Sequence, residues 1–124
     1  MPFTRTAVVI EDDGDMRGLI EAVLGLSGVA VRTAATGAGG VEAVSRHSPD
    51  IVILDFGLPD VSGLEVIARI RAFSKVYILM LTGRDDLSET LLAAGANAVF
   101  TKPFRPRALR AQVEEMLGLQ HQEL

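Results

Sequence analysis

Acidic, hydroxyl and ammonium side chains lie within three residues of the end of four apolar runs in this 124-residue sequence. They are Glu11, Asp12 and Asp13, then Asp55, then Thr82, and finally Lys102. Carboxylates brought within a few ångströms of one another repel, and this repulsion raises their pKa values or recruits a cation. Because the set contains neither imidazole nor thiolate, the expected ion is a hard divalent cation, Mg²⁺.

A carboxylate beside Mg²⁺ can attack phosphorus, since catalysis of phosphoryl transfer consists mainly of positioning and charge stabilisation. Asp55 is the candidate nucleophile. Lys102 would hold one phosphoryl oxygen as a point charge, and the Thr82 hydroxyl could donate a hydrogen bond to another. The sequence has no Asp-x-Asp-x-Asp-Gly calcium loop and no glycine-rich phosphate loop, so neither a dedicated calcium cage nor a nucleotide site is expected.

The apolar runs themselves recur at intervals of 22, 22, 25 and 22 residues, each long enough to contain a crossover helix. They are Ala7 to Ile10, Val29 to Val31, Ile51 to Leu54, Val76 to Leu81 and Ala98 to Phe100. This alternation predicts an α/β fold, a doubly wound sheet of five parallel strands with helices on both faces. In such sheets the ligand crevice lies at the carboxyl ends of the strands, where all the polar side chains above would meet.

Helical patterns fill the intervals between the runs. Ser62 and Glu65 have the spacing of a capping box and predict the start of the third helix. The fourth helix, between Asp86 and Ala94, should be short, and Pro106 suits the first turn of the fifth. The inward face of the first helix is predicted to consist of Met16, Leu19, Ile20, Val23 and Leu24.

Four stretches in this order resemble the receiver domains of two-component response regulators. They are Val-Val-Ile-Glu-Asp-Asp, Ile-Leu-Asp-Phe-Gly-Leu-Pro-Asp-Val-Ser-Gly, Met-Leu-Thr-Gly and Phe-Thr-Lys-Pro-Phe. The resemblance covers about residues 5–118 and implies the flavodoxin-like strand order 2-1-3-4-5. It also implies that residues 1–124 form a single receiver domain, with 119–124 a tail or the start of a linker.

The resemblance implies a role for each polar residue. Asp55 would be the phosphoacceptor, Lys102 would contact the phosphoryl group, and Thr82 would be the switch hydroxyl. The metal ligands would be Asp12, Asp55, the Gly57 backbone carbonyl and, through water, Glu11. Such a domain is a signalling phosphoacceptor and not a turnover enzyme. Its partners would be a sensor histidine kinase or phosphotransfer protein and an effector or output domain, and the Lys102-Pro103 bond is expected to be cis.

Two departures from the family pattern motivate an alternative. Val99 occupies the position, three before the lysine, where relatives usually have Tyr or Phe, and the segment from Thr82 to Lys102 is about two residues shorter. The alternative is a pseudo-receiver that binds a partner without phosphorylation. A phosphatase of the haloacid dehalogenase kind is disfavoured, because Asp55 is followed by Phe56-Gly57 and not by an Asp-x-Asp pattern.

Composition excludes other classes of protein and site. The formal net charge of −4 argues against direct nucleic-acid binding, and the absence of cysteine rules out disulfides and thiolate metal sites. No stretch approaches the roughly 20 apolar residues of a membrane span, so we expect a cytoplasmic protein, monomeric or, alternatively, homodimeric.

The remaining residues have structural interpretations. We interpret Asp13 and Asp15 as capping or helix-dipole acids, and Met16, Met80 and the phenylalanine side chains as core. The arginines of the fifth helix, at positions 105, 107 and 110, are interpreted as a solvated face. The two histidines, at positions 47 and 121, have no predicted role as ligand or phosphodonor.

Overall fold

Strands and helices alternate along the computed structural model, which describes residues 5–119. The strands are β1 (Arg5–Ile10), β2 (Val29–Ala34), β3 (Ile51–Asp55), β4 (Tyr77–Thr82) and β5 (Ala98–Thr101). The helices are α1 (Gly14–Gly25), α2 (Gly37–His47), α3 (Gly63–Arg71), α4 (Ser88–Ala94) and α5 (Pro106–Met116), and a 3₁₀ turn (Asp85–Leu87) precedes α4.

The five strands are parallel and lie in the order β2-β1-β3-β4-β5, which confirms the predicted fold class and strand order. Their register aligns the carboxyl ends. Ile10 pairs with Leu54, so Glu11 and Asp55 leave their strands at the same level. Asp55 pairs in turn with Leu81, so Thr82 lies one residue beyond that level, on the next strand.

Two apolar layers pack on the two faces of the sheet. Helices α1 and α5 cover one face and α2, α3 and α4 cover the other. All five residues of β3 are buried, as expected for a central strand with helices on both sides. Alternate residues of this strand contribute to opposite layers, with Ile53 in the first and Val52 in the second.

Side-chain caps begin three of the helices. Ser62 Oγ accepts a hydrogen bond from the Glu65 backbone N–H, which confirms the predicted start of α3. Asp13 caps α1 by accepting from the Met16 N–H, as its interpretation required, and Thr36 Oγ1 caps α2. Each cap satisfies one of the N–H groups that the first turn of a helix leaves without a partner.

Three core and surface predictions were wrong. Leu19 is 40% exposed because the inward stripe of α1 is narrower than predicted, with Ile20, Val23 and Leu24 buried beneath it. Phe73 is 48% exposed because it follows the end of α3, outside both apolar layers. Arg110 does not belong to a solvated face, since its guanidinium donates to Ser27 Oγ, Glu114 Oε2 and the Leu26 carbonyl. The interpretation of His121 lies outside the described residues.

Candidate functional site

Asp55 ends the central strand with its carboxylate nearly enclosed, at 6% exposure. Its Oδ1 accepts a hydrogen bond of 2.6 Å from Lys102 Nζ, which arrives from the far end of the β5 strand. The backbone N–H of Phe56 donates to the Leu81 carbonyl at 2.8 Å and so holds the chain immediately after Asp55 against β4. Strand burial and these two bonds therefore fix the direction of the Asp55 side chain.

Glu11 and Asp12 approach Asp55 from the end of β1. One carboxylate oxygen of each of Glu11, Asp12 and Asp55 can be chosen so that all three lie within 4.8 Å of one another. The Glu11 N–H donates to the Ala34 carbonyl at 3.0 Å, and Arg17 donates to the Glu11 carbonyl at 2.9 Å. We call the space bounded by Glu11, Asp12, Asp55 and Lys102 the acidic hollow.

Glu11 brings to the hollow a buried carboxylate oxygen that accepts no hydrogen bond from the described part of the chain. Its Oε2 accepts from the Asp13 N–H at 3.2 Å, whereas its buried Oε1 has no hydrogen-bond partner among the described residues. Burial raises the pKa of Glu11, and the neighbouring charge of Asp55 adds to the rise. A buried carboxylate oxygen without a donor costs free energy, and a cation placed beside it would remove that cost.

Lys102 supplies the positive charge that faces these acids. Its ammonium lies 2.6 Å from Asp55 Oδ1 and 3.5 Å from Glu11 Oε1. Burial alone would lower the pKa of Lys102, but the hydrogen bond and charge of Asp55, together with the charge of Glu11, raise it above its usual value. The hollow thus holds one ammonium and three carboxylates, and the carboxylate oxygens are ligands that fit a hard divalent cation.

Thr82 is buried at the same sheet edge, at the end of β4. Its hydroxyl oxygen accepts a hydrogen bond from the Arg84 N–H at 3.1 Å, and its carbonyl accepts from the Lys102 N–H at 2.7 Å. The Lys102-Pro103 peptide bond is cis, as expected. The structure therefore brings all the strand-end residues selected from the sequence to the carboxyl edge of the sheet. There the Thr82 hydroxyl oxygen is hydrogen-bonded within its own turn, to the Arg84 N–H.

Comparison with known proteins then decides the family. The family model described as "Response regulator receiver domain" matches residues 7–114. The chain belongs to this family. The receiver domain is 40% identical over 99 residues to the transcriptional regulatory protein KdpE of Mycobacterium tuberculosis, a match covering 78% of this chain and 44% of KdpE. It is 36% identical over 112 residues to AfsQ1 of Streptomyces coelicolor, covering 89% of this chain and 50% of AfsQ1.

Solved structures agree with this assignment. A response regulator from Chloroflexus aurantiacus is 31% identical, with a TM-score of 0.87 and coverage of 94% of this chain and 99% of that chain. The BeF3-activated DrrB receiver domain is 28% identical, with a TM-score of 0.84 and coverage of 94% and 99%. The receiver domain spans about half the length of the curated relatives it matches. Between residues 5 and 119, no helix is long and apolar enough to cross a membrane.

The region beside the hollow contains the two features that the sequence analysis singled out, Val99 and a short fourth helix. Val99, in β5, is half-buried against the layer of α2, α3 and α4. The next residue, Phe100, packs on the opposite layer and makes an edge contact with Phe104 at a centroid distance of 6.2 Å. Helix α4 has seven residues, and Leu91 is the one that is buried. No aromatic ring of β5 therefore takes the place that Val99 leaves on that face.

Sequence reasoning missed two polar connections, one in the loop beside the site and one at the opposite edge of the sheet, where β4 and β5 begin. The Asp60 carboxylate accepts hydrogen bonds from the first backbone N–H groups of α2, at Gly37 and Ala38. The Arg71 guanidinium joins the Gly95 carbonyl to Asn97 Oδ1. The sequence shows an acid after Pro59 and an arginine at the end of a helix. Neither pattern identifies a hydrogen-bond partner more than 20 residues away in the sequence.

Proposed function

We propose that Asp55 of this receiver domain accepts a phosphoryl group from a phosphohistidine of a sensor kinase or phosphotransfer protein, with Mg²⁺ bound in the acidic hollow. The observation that carries this proposal is the 2.6 Å contact between Lys102 Nζ and Asp55 Oδ1 inside a cluster of three carboxylates. An ammonium beside one buried carboxylate, together with two further carboxylates that could hold a cation, forms the charge pattern that a phosphoryl group needs.

The metal would be held by Asp12, Asp55 and the Gly57 carbonyl directly, and by Glu11 through water. Mg²⁺ suits this set because it takes one or two carboxylates and retains several waters. Once bound, Mg²⁺ would neutralise one oxygen of the transferring group. The buried Glu11 Oε1 accepts no hydrogen bond among the described residues and faces only the Lys102 ammonium, at 3.5 Å, which supports a hydrated cation beside it.

The chain's own residues would perform the transfer. A carboxylate oxygen of Asp55 attacks phosphorus in line, so that a P–O bond forms while the P–N bond of phosphohistidine breaks and the histidine keeps the electron pair. Lys102 then moves from the Asp55 oxygen to a phosphoryl oxygen. The Thr82 hydroxyl, now accepting from the Arg84 N–H, turns to donate to another phosphoryl oxygen. That rotation would bias the surface between two states.

The whole protein would couple this switch to an effector. The relatives KdpE and AfsQ1 are described as transcriptional regulatory proteins and are about twice as long as the matched region. We therefore propose that residues 1–124 act as a single receiver domain controlling an effector or output segment. Val99 and the seven-residue α4 favour one second candidate, a receiver that binds its partner without phosphorylation.

Acetyl phosphate separates the two functions. Incubation with acetyl phosphate and Mg²⁺ should add about 80 Da to the intact protein. Asp55→Asn should show no gain, whereas Asp85→Asn, which changes an acid of the 3₁₀ turn outside the hollow, should gain as the wild type does. An unmodified wild-type mass would favour the phosphorylation-independent receiver, and undiminished labelling of Asp55→Asn would refute the assignment of the phosphoacceptor.

A further inference from the structure

Asp60 joins the loop after β3 to the first turn of α2. Its Oδ1 accepts from the Gly37 N–H at 2.8 Å and its Oδ2 accepts from the Ala38 N–H at 3.0 Å. These two donors belong to the helix terminus that carries partial positive charge, so a carboxylate is favoured there. The two hydrogen bonds lower the pKa of Asp60, with the bond from Ala38 contributing most. We call this pair of bonds the Asp60 clasp.

A close apolar contact reinforces the clasp. A Cβ added at Gly37 would overlap the Val61 side chain and would also meet Val66 of α3. Glycine at position 37 therefore allows the loop to approach the helix backbone closely enough for Asp60 to reach both N–H groups. The loop and α2 are thus matched in shape as well as in charge.

The helix that Asp60 grips is itself fixed relative to the acidic hollow. A Cβ at Gly40 would overlap the side chain of Ile10, the residue immediately before Glu11, so α2 packs directly on the end of β1. The Glu11 N–H donates to the Ala34 carbonyl at the end of β2, just before α2. The clasp therefore attaches the β3–α3 loop to the same elements, α2 and the end of β2, that lie against Ile10 and Glu11.

The loop has a second attachment at its other end. The Phe56 N–H donates to the Leu81 carbonyl, so Phe56 is held by β4 and Asp60 is held by α2. Only Gly57, Leu58 and Pro59 lie between these two anchors. The position of the Gly57 carbonyl is consequently set by a three-residue segment that is hydrogen-bonded at both ends. Loss of the bonds at one end would let the Gly57 carbonyl move.

We infer that Asp60 is a positioning residue, which holds the Gly57 carbonyl at the distance from Glu11 and Asp12 that a divalent cation requires. This inference rests on the proposed function, since it assigns the Gly57 carbonyl as a metal ligand. Asp60 touches neither metal nor phosphoryl group, and it acts through the loop. Residues that orient metal ligands commonly change metal affinity by about 10- to 100-fold when removed.

Calorimetric titration with Mg²⁺ tests the clasp. Asp60→Ala should raise the Mg²⁺ dissociation constant by about tenfold. Asp60→Asn should give an intermediate value, because one amide oxygen can still accept from Gly37 while its NH₂ group cannot accept from Ala38. Gly37→Ala should also weaken binding although it leaves the carboxylate in place, since the new methyl group displaces Val61.

Thr36→Ala is the matched control. It removes the other cap of α2, the bond of 3.0 Å from the Gly39 N–H, without touching the β3–α3 loop. It should leave the Mg²⁺ dissociation constant within about twofold of the wild-type value, because the loop remains fastened. Equal weakening by Thr36→Ala and Asp60→Ala would show that Asp60 acts only by stabilising α2 and would overturn the inference.

The kinetics give a second criterion. At saturating Mg²⁺ the rate of phosphorylation of Asp60→Ala by acetyl phosphate should return to about the wild-type value, because the groups that contact phosphorus are intact. A rate defect that persists at saturating Mg²⁺, unchanged Mg²⁺ affinity in Asp60→Ala, or Asp60→Asn binding no better than Asp60→Ala would each overturn the inference. Wild-type protein that binds no Mg²⁺ would overturn the proposed function as well, so the two failures are distinguishable.

Discussion

The acidic hollow and the α4–β5 region lie side by side on the sheet, but they are held in very different ways. The hollow lies at the end of a strand whose five residues are all buried, and backbone groups of Glu11 and Phe56 hydrogen-bond to β4, β2 and α1. Helix α4 has seven residues, and three of the four residues of β5 are half-buried while the fourth is exposed. The carboxylates are therefore placed on the more deeply buried part of the fold, and Lys102 reaches them from the end of β5.

This difference indicates where a conformational response would occur. Local opening is easiest where few apolar side chains are buried and packing is thin. In α4 the fully buried side chain is Leu91, whereas Leu92 is 46% exposed. We propose that Val99 and the seven-residue α4 affect the surface that would report the state of the hollow, and that they leave the hollow itself intact. The following variants test this division of roles.

Lys102→Ala should produce the largest effect, on the hollow. It removes the ammonium that contacts Asp55 and would contact the phosphoryl group, and loss of one such donor typically lowers the rate about 10²-fold or more. The measurement is the rate of phosphorylation by acetyl phosphate at saturating Mg²⁺. Lys75→Ala, which changes the chain's other lysine at an exposed position, is the control. An unchanged rate for Lys102→Ala would remove the lysine from the mechanism.

Leu91→Ala should affect the other region while sparing the hollow. Truncating a fully buried leucine costs about 2–5 kcal/mol of unfolding free energy. Urea unfolding should show this loss, and amide exchange should show α4 losing protection first. Leu92→Ala should cost far less because that side chain is half in solvent. Mg²⁺ affinity lowered as much by Leu91→Ala as by a change in the hollow would break the proposed separation.

Glu11→Gln should raise the free energy of unfolding of the metal-free protein and lower its Mg²⁺ affinity. Because the pKa of Glu11 is raised above its ordinary value of 4.5, ionisation of Glu11 costs stability in the folded, metal-free protein. This cost is absent below the ordinary pKa and fully present above the raised one. Glu11→Gln should therefore be more stable than wild type at neutral pH without Mg²⁺, and the difference should vanish on acidification.

Magnesium should reverse that order. The variant loses the carboxylate that would bind the metal through water, so its Mg²⁺ affinity should fall about tenfold. Unfolding curves at several pH values, with and without Mg²⁺, measure both effects. Glu21→Gln, on the exposed side of α1, should change neither quantity. A metal-free variant less stable than wild type at pH 7 would contradict the account of Glu11.

Val99→Ala should have the smallest effect. The side chain is half-buried, so its truncation should cost about 1 kcal/mol or less. Phosphorylation rate and Mg²⁺ affinity should stay within about twofold of wild type, because Val99 touches neither ligand site. Phe100→Ala, which removes a ring from the opposite layer, provides a larger loss of stability for comparison. A tenfold fall in the phosphorylation rate of Val99→Ala would show that the α4–β5 region and the acidic hollow are coupled more tightly than we propose.

The fold and the hollow were predictable because both follow from local patterns. Apolar runs at regular spacing specify parallel strands, and parallel strands place Asp55 and Lys102 at one edge whatever the details of packing. The cap at Ser62 was equally local.

Three features were not predictable, because they depend on partners distant in sequence or on exact packing. The Asp60 clasp requires knowing that α2 lies beside the β3–α3 loop. The exposure of Leu19 depends on how much of the apolar face of α1 the neighbouring helix α5 covers. Arg110 reaches Ser27 across the α1–α5 interface, where the cluster of three arginines alone indicated a solvated face.

Locating the phosphoryl group tests the central claim most directly. Protein treated with acetyl phosphate and Mg²⁺ is reduced with borohydride, which converts an aspartyl phosphate to homoserine, and is then mapped by peptide mass spectrometry. We predict homoserine at position 55 and at none of the neighbouring acids, and none in protein treated without Mg²⁺. Homoserine at position 12 or 13, or its absence from the peptide containing residue 55 after phosphorylation, would contradict the account.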